Sequence, residues 1–203
     1  RLSFRGGFIN KLIYYKFYRL SSEHDNGPLE EILNSRGHTS TQQVFAQWQY
    51  KPSNEVSINA GLHYIRLSHN KTYSVEPRIS AKWNINNKNS IAIGYGLHSQ
   101  LQTLNVYFAE QHLSNGDVIM PNKNLGLTKA HHYVISYSYR PAKNLQLKTE
   151  LYYQQLFNVP VAAGDSSTLS ALNVEYEYIT DPLVNKGKGR NYGAEISVER
   201  YLQ

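Results

Sequence analysis

The chain of 203 residues contains no cysteine, which excludes disulfide bonds, thiolate metal ligands and thiol catalysis. It also has no run near the roughly 18 apolar residues that a membrane-spanning helix requires. Phenylalanine, tryptophan and methionine are scarce, at 6, 2 and 1 residues, whereas tyrosine occurs 17 times. A transmembrane β-barrel needs none of the missing features, because its strands cross the bilayer in about 9–11 residues of alternating polarity.

Charge is sparse and dispersed. Charged residues make up 18% of the chain and give a net charge of +6, with no basic block. Dispersed positive charge is weak evidence for nucleic acid, so we expect a solvated, mildly basic surface and no nucleic-acid partner. The opening stretch "RLSFRGGFIN" resembles a strand rather than a signal peptide, so we expect a processed or excised chain.

Alternation with a period of two runs through most of the sequence. The stretch "SVEPRISAKW" (74–83) places apolar side chains at odd positions and polar ones at even positions. A strand sends such sets to opposite faces, so one face is apolar and the other is charged. Similar stretches predict about eight strands, near 1–19, 41–51, 55–68, 73–84, 90–101, 129–141, 145–157 and 189–202.

The connections between these strands alternate in length. Short turns rich in Asn and Pro are predicted at 51–54, 85–89 and 141–144. Long segments are predicted at 20–39, 102–128 and 158–188. In an antiparallel up-and-down meander this puts all short turns at one end, as in an outer-membrane barrel with short periplasmic turns. A soluble all-β meander or sandwich is the alternative, with the apolar rows in a core.

Two local features test this interpretation. The segment "PLEEIL" (28–33) is predicted to form one helical turn within a loop, with no other helix expected. Pro77 lies in the middle of a predicted strand, although it has no N–H to donate to a neighbouring strand. We therefore expect a β-bulge or a locally unpaired position at Pro77.

Three stretches carry a family resemblance: "NKNLGLTKAHHYVISYSY" (122–139), "ELYYQQLFNVPV" (150–161) and "NKGKGRNYGAEISVER" (185–200). They resemble the barrel of TonB-dependent outer-membrane receptors, specifically the Bacteroidetes-type members. The resemblance implies a barrel of about 22 strands around a plug domain. It also implies uptake of scarce nutrients, energised by the TonB complex. We find neither a plug domain nor a signal peptide, so residues 1–203 are expected to be a partial barrel.

The expected function is therefore that of a receptor part, not an enzyme. The resemblance implies import of a siderophore, a glycan or a similar nutrient, with outer-membrane lipid, the TonB complex and the plug domain as partners. No cofactor is expected. Two alternatives stay open: a non-transporting surface adhesion barrel, and a soluble carbohydrate-binding β-domain.

Candidate site residues follow from the barrel interpretation. Charged residues at polar-face positions are predicted to face the lumen, where most form a hydrated wall and some contact plug or substrate: Glu76, Arg78, Lys82, Lys148, Glu150, Glu195 and Glu199. The loop segment "YFAEQHLSNGD" (107–117) mixes aromatic, amide and carboxylate groups suited to a polar ligand, without singling out a contact residue.

No metal site or catalytic site is expected. His131 and His132 are adjacent on a predicted strand, so they point to opposite faces and cannot chelate one ion together. His24 and His38 share a predicted loop without the fixed spacing of metal ligands. The glycine-rich "GKGRNYG" (187–193) lacks the strand-to-helix context of a phosphate loop, and a flexible loop leading into the last strand is expected there.

Overall fold

The computed structural model describes residues 1–22, 27–113, 115–164, 168–173 and 181–201. Its elements are β1 (Leu2–Ser21), β2 (Glu30–Tyr50), β3 (Val56–Leu67), β4 (Tyr73–Asn84), β5 (Asn89–Gln100), α1 (Leu104–Tyr107), β6 (Gln111–His112), β7 (Val118–Ile119), β8 (Thr128–Ala142), β9 (Leu145–Ala162) and β10 (Leu183–Arg200).

Eight of the strands form one antiparallel sheet in the order β1-β2-β3-β4-β5-β8-β9-β10. Every long strand pairs with its neighbour in the chain, once the small β6–β7 hairpin is set aside. The predicted all-β, up-and-down meander of about eight strands is confirmed. The sheet is open, with β1 and β10 at its edges. Among the described residues, no helix is long and apolar enough to cross a membrane.

The strand register separates side chains by polarity, as the alternation predicts. Ile79 pairs with Ala60 and Tyr95, and these rows continue across the sheet as one apolar face. Ile79 is 53% exposed, whereas Glu76 on the opposite, polar face is 2% exposed. The apolar rows therefore face outward from the chain. A soluble sandwich would have buried them between two sheets.

The small buried core lies at the end of the sheet away from the short turns. There the connection 101–127, between β5 and β8, folds back onto the strand ends. Its buried members come from the connection and from four strands or strand ends: Leu33, Leu67, Val106, Tyr107, Phe108, Leu125 and Leu183. We call this group the loop core. It fixes the connection against the sheet by burying apolar area.

Several boundaries differ from the sequence-based expectation. The predicted helical turn at 28–33 is wrong, because β2 already begins at Glu30 and pairs there with Ser21. The connection 102–128, expected to contain no helix, includes α1. The flexible loop expected at 187–193 is also wrong, since that segment lies within β10 and pairs with β9. In each strand extension the pairing partner supplies the order that local composition does not indicate.

Pro77 shows one of its two expected outcomes. The β3–β4 register passes through Leu62 opposite Pro77 without a bulge. The β4–β5 register ends one residue later, at Arg78 opposite Gly96. Pro77 is therefore locally unpaired on the β5 side, as expected of a residue that has no N–H. Beyond this point β5 continues along β8 alone, as far as Gln100.

Gly187 and Gly94 give a matched pair of predictions about packing. A Cβ at Gly187 would lie 2.5 Å from Val161 Cγ1 and 2.8 Å from the carbonyl oxygen of Val159, at an irregularity in the β9–β10 register. We expect Gly187→Ala to lower the free energy of unfolding by about 1–3 kcal/mol through overpacking. A Cβ at Gly94 would meet nothing closer than 3.8 Å. Gly94→Ala should therefore be neutral or stabilising by up to about 1 kcal/mol. Urea unfolding of both variants measures the difference, and equal effects would contradict it.

Candidate functional site

The polar face of the sheet is organised around one buried carboxylate. The Glu76 side chain is 3% exposed. Its Oε2 lies 2.9 Å from His63 Nδ1 on β3 and accepts a hydrogen bond of 2.8 Å from Arg78 Nη2. Its Oε1 accepts hydrogen bonds from the Ser99 backbone N–H at 3.1 Å and from the Ser99 hydroxyl. A buried carboxylate surrounded by donors in this way is held in its ionised form by geometry.

The position of Glu76 explains how the sheet survives the proline. The β4–β5 ladder stops at Arg78, and the Ser99 N–H lies beyond that stop. The Glu76 carboxylate accepts this N–H in place of a strand carbonyl. Glu76 therefore joins β4 to β5 through its side chain where the backbone no longer does so, and it satisfies a backbone donor that would otherwise lack a partner.

Polar contacts extend from Glu76 across the sheet. On one side His63 Nε2 lies 3.0 Å from Gln43 Oε1 on β2. On the other side, at the level of Arg78, His98 and His132 lie with their ring centroids 5.8 Å apart. Two more contacts reach the far edge: Gln154 Nε2 to His132 Nε2 at 3.3 Å, and Asn191 Nδ2 to Gln154 Oε1 at 3.3 Å. We call the residues of these contacts the polar band.

A cavity of about 490 Å³ borders the polar band. Its polar lining comes from five strands, and it consists of Gln47, Asn59, His63, Arg78, Ser80, His98 and His132. Arg78 supplies a permanent positive charge, and the imidazoles supply donors and acceptors. All these groups together suit a polar or anionic molecule better than an apolar one. Glu76 is not available to such a molecule, because four donors already occupy its two oxygens.

The other candidate residues share the polar face but do not form one cluster. Lys148 Nζ and Glu150 Oε2 form an ion pair. Glu150 and Glu195 are direct cross-strand neighbours, and both line a second cavity of about 670 Å³. Like charges opposite each other destabilise a strand pair, and Lys148 offsets this one.

The two remaining candidates lie apart from these cavities. Lys82 is opposite Ser57 and Ala92, and Glu199 is opposite Gln146 near the short turns. The facing of all seven candidate residues toward a lumen stays a prediction.

Sequence reasoning placed His63 and His98 on the polar face but did not single them out. Both histidines alternate with apolar neighbours, and that pattern indicates a face and nothing more. Their role depends on cross-strand register, which sets His63 opposite Glu76 and brings His98 near His132. The one available signal was the placement of histidine, glutamate and arginine on one face of consecutive strands.

The segment 107–117, expected to suit a ligand, divides into two parts. Tyr107, Phe108 and Ala109 are buried in or beside the loop core at 0%, 5% and 0% exposure, so they are closed to a ligand. The hydrophilic remainder forms a turn in which Asn115 donates to the Asp117 carboxylate at 2.7 Å. The aromatic half of the segment is therefore structural.

Three asparagines fix the connection 101–127 to the rest of the chain. Asn122 accepts from the Leu183 N–H at 2.8 Å and donates to the Asp181 carbonyl at 3.0 Å. Asn70, in the β3–β4 turn, donates to the Leu125 carbonyl at 2.8 Å. Asn185 of β10 accepts from the Gly126 N–H at 2.7 Å. Because these bonds satisfy backbone groups of an irregular segment, they hold it in one conformation.

His69 packs into the loop core from the β3–β4 turn. Its ring centroid lies 4.5 Å from that of Phe108, which in turn lies 4.4 Å from Tyr15 of β1. Its buried Nε2 has no hydrogen-bond partner among the described residues. Burial, together with the charge of Lys123, lowers the pKa of His69 below its usual range. The packed form is therefore the neutral imidazole.

This gives a pH-dependent prediction. A released His69 titrates near about 6.5 and the packed one lower, so release binds protons. Packing of the connection should be unaffected at pH 7.5 and should weaken as pH falls below about 6.5. Amide exchange of residues 104–109, corrected for intrinsic rates, should be several-fold faster at pH 5.5.

His69→Phe supplies the matched test, because it keeps a ring against Phe108 and removes the titrating group. It should abolish the pH dependence, whereas His38→Phe, at an exposed position of β2, should leave it unchanged. The assignment is wrong if the His69 variant retains the full pH dependence.

No group of three or more His, Asp or Glu side chains within the described ranges could hold a metal ion. His131 and His132 diverge as expected. The His131 ring stacks on Phe157 and lies 3.0 Å from the Tyr95 hydroxyl on the apolar face, while His132 belongs to the polar band. His38 lies in β2 opposite Tyr14, and His24 lies outside the described residues.

Comparison with solved structures shows a shared fold. The outer membrane transporter YddB from Escherichia coli matches with a TM-score of 0.65 at 15% identity, over 98% of this chain and 28% of that one. The ferric-catecholate import receptor Fiu from E. coli K12 matches with a TM-score of 0.62 at 14% identity, over 100% and 33%. The siderophore receptor PirA from Pseudomonas aeruginosa matches with a TM-score of 0.60 at 10% identity, over 96% and 39%.

The chain spans between 24% and 39% of the length of these and similar solved proteins. No curated protein sequence matches significantly. The family model described as "TonB dependent receptor-like, beta-barrel" matches residues 3–203. The narrower Bacteroidetes-type assignment stays a prediction. The match runs through every strand of the sheet, and the sheet has the strand order, the alternation and the exposed apolar face of a barrel wall. The chain belongs to the TonB-dependent receptor β-barrel family, whose members are outer-membrane proteins.

Proposed function

We propose that this chain forms part of the wall of an outer-membrane receptor that imports a nutrient. The apolar face lies against lipid and the polar face lines the lumen. The observation that carries the proposal is one sheet of eight long strands with an unbroken exposed apolar face, within a chain that matches the family over residues 3–203. In this role the wall neither binds TonB nor performs chemistry. It encloses the passage and contributes polar groups to it.

The polar band supports the lumen assignment. A passage for polar solutes requires groups that are wetted or hydrogen-bonded to one another, and the band supplies both kinds across β2 to β10. Arg78 is half exposed at 47% while also bound to Glu76, so it can contact a plug or an anionic solute without leaving its partner. Glu150 and Glu195 give a neighbouring acidic patch.

The relatives suggest the class of cargo without defining it. Solved proteins of this fold include a ferric-catecholate import receptor, a copper transporter and a peptide importer. We propose a siderophore, a glycan or another nutrient of that scale for the full-length receptor, with the plug domain and the TonB complex as partners. The adhesion barrel is the competing function, because it predicts the same wall with no cargo.

Growth tests separate these functions. A strain lacking the gene for the full-length protein is grown with single iron-siderophore, glycan or peptide sources, and uptake of the labelled nutrient is measured. We expect loss of growth on at least one source. The same loss should occur when TonB is inactivated, and the gene should restore growth only in the TonB-containing strain. A normal phenotype on every source, with the protein present in the outer membrane, would favour the adhesion barrel.

A further inference from the structure

The charged side chains of the apolar face gather at the long-loop end of the strands, and nearly all are basic. Register and alternation place seven cations there: Lys16, Arg36, Arg66, Lys129, Lys186, Lys188 and Arg190. We call these residues the basic zone. Among the described side chains of this face at that end, the one carboxylate is that of Glu31, which accepts a hydrogen bond from Asn34.

Tyrosines separate the basic zone from the apolar rows. Tyr14 precedes Lys16, Tyr64 precedes Arg66 and Tyr192 follows Arg190, each two residues away along the same face. Two residues of a strand cover about 7 Å. Because tyrosine rings collect at the boundary between lipid tails and headgroups, the cations beyond them stand at headgroup level.

The basic zone has no protein counter-charge in the part of the chain that the structure describes. The three ion pairs found there are His63–Glu76, Arg78–Glu76 and Lys148–Glu150, all on the polar face. The acidic strand residues Glu195 and Glu199 also belong to that face. The two faces thus separate charge by sign at one end of the sheet. Neighbouring cations without counter-charge repel one another unless an external anion joins them.

We propose that the basic zone binds the phosphate groups of anionic lipid headgroups in the membrane leaflet at the long-loop end. The zone continues the lipid-facing surface beyond the tyrosines, so the molecule in contact with it is the lipid itself. Lysine and arginine stems lie along apolar surface while their charged ends reach the headgroups. Arginine also forms bidentate hydrogen bonds with phosphate. The proposal rests on the membrane placement of the apolar face and not on transport.

The full-length receptor, purified in detergent and reconstituted with zwitterionic phosphatidylcholine, provides the test. Retention of added diphosphoryl lipid A is measured by native mass spectrometry and compared with lipid A from which both phosphates have been removed. We expect the phosphorylated form to be retained and the dephosphorylated form to be lost. Retention should fall steeply between low and high salt, because screening weakens exposed ion contacts.

Variants assign the binding to the basic zone. The triple variant Lys16→Gln, Arg36→Gln, Arg66→Gln should reduce retention roughly a hundredfold, since each basic group near an anionic surface contributes about fivefold. A control removes three charges elsewhere: Arg5→Gln and Lys11→Gln on the polar face of β1, and Lys88→Gln in a short turn. The control should retain the lipid as the unmodified receptor does.

Three outcomes would overturn the proposal: equal retention of both lipid forms, no salt dependence, or equal losses in the triple variant and the control. Heat-modifiable gel mobility checks that each variant is folded. If the triple variant does not fold, Arg66→Gln and Arg190→Gln are tested singly, and the lipid comparison and salt titration of the unmodified receptor still decide. A receptor that binds the lipid and transports nothing would support this inference and contradict the proposed import function.

Discussion

Glu76→Ala is expected to destabilise the barrel wall by about 3 kcal/mol. The substitution removes the acceptor for the Ser99 N–H and hydroxyl, and it also removes the partner of His63 and Arg78. Two of these donors are backbone or buried side-chain groups that have no access to a new partner. Guanidinium unfolding of the refolded full-length protein, followed by tryptophan fluorescence, measures the loss.

Two control variants make this result specific. Glu76→Gln keeps one acceptor oxygen for Ser99 and should cost about 1 kcal/mol, mainly the lost charge-assisted bonds. Glu150→Gln breaks the half-exposed pair with Lys148 and should cost less than about 1 kcal/mol.

Amide exchange at Ser99 should accelerate in Glu76→Ala but not in Glu150→Gln. An unfolding free energy within about 0.5 kcal/mol of the unmodified protein, with Ser99 still protected, would show that the carboxylate does not hold β4 to β5. That threshold is the usual scale of a neutral surface substitution.

Ile135→Lys is expected to cost about 2–4 kcal/mol in a lipid bilayer, which is the range for a cation near the middle of a barrel's lipid face. Ile135 is 49% exposed and lies between Ile93 and Leu151 in the apolar rows. Exposure of this kind has opposite consequences in water and in lipid. In water a lysine there would be nearly neutral or would improve solubility.

The neighbouring residue supplies the control for Ile135→Lys. Ser136 points to the polar face, between Ala92 and Glu150, so Ser136→Lys gains a carboxylate partner and should change stability by less than about 1 kcal/mol. Folding into phosphatidylcholine vesicles is measured by heat-modifiable mobility and urea titration. If Ile135→Lys folds as well as Ser136→Lys, the apolar face does not lie in lipid.

The sequence by itself determined the strands, their number and the composition of the two faces. Alternation is a local property, and the pleat of a strand converts it directly into sidedness. Val75, Ile79 and Trp83 therefore share one face, and Glu76, Arg78 and Lys82 share the other, on local pattern alone. The short turns at 51–54 and 141–144 likewise indicated a meander, because two- to five-residue connections join neighbouring antiparallel strands.

Only the tertiary structure decided how far the strands extend and what the polar residues do. The first half of β2 has no clear alternation and is a strand because 20 residue pairs join it and the rest of β2 to β1. The aromatic half of 107–117 looked exposed and is core, because three asparagines and the strand ends hold it. Glu76 meets Ser99 across 23 residues of sequence and His63 across 13. Such contacts depend on register, and a shift of one residue would send every side chain to the opposite face.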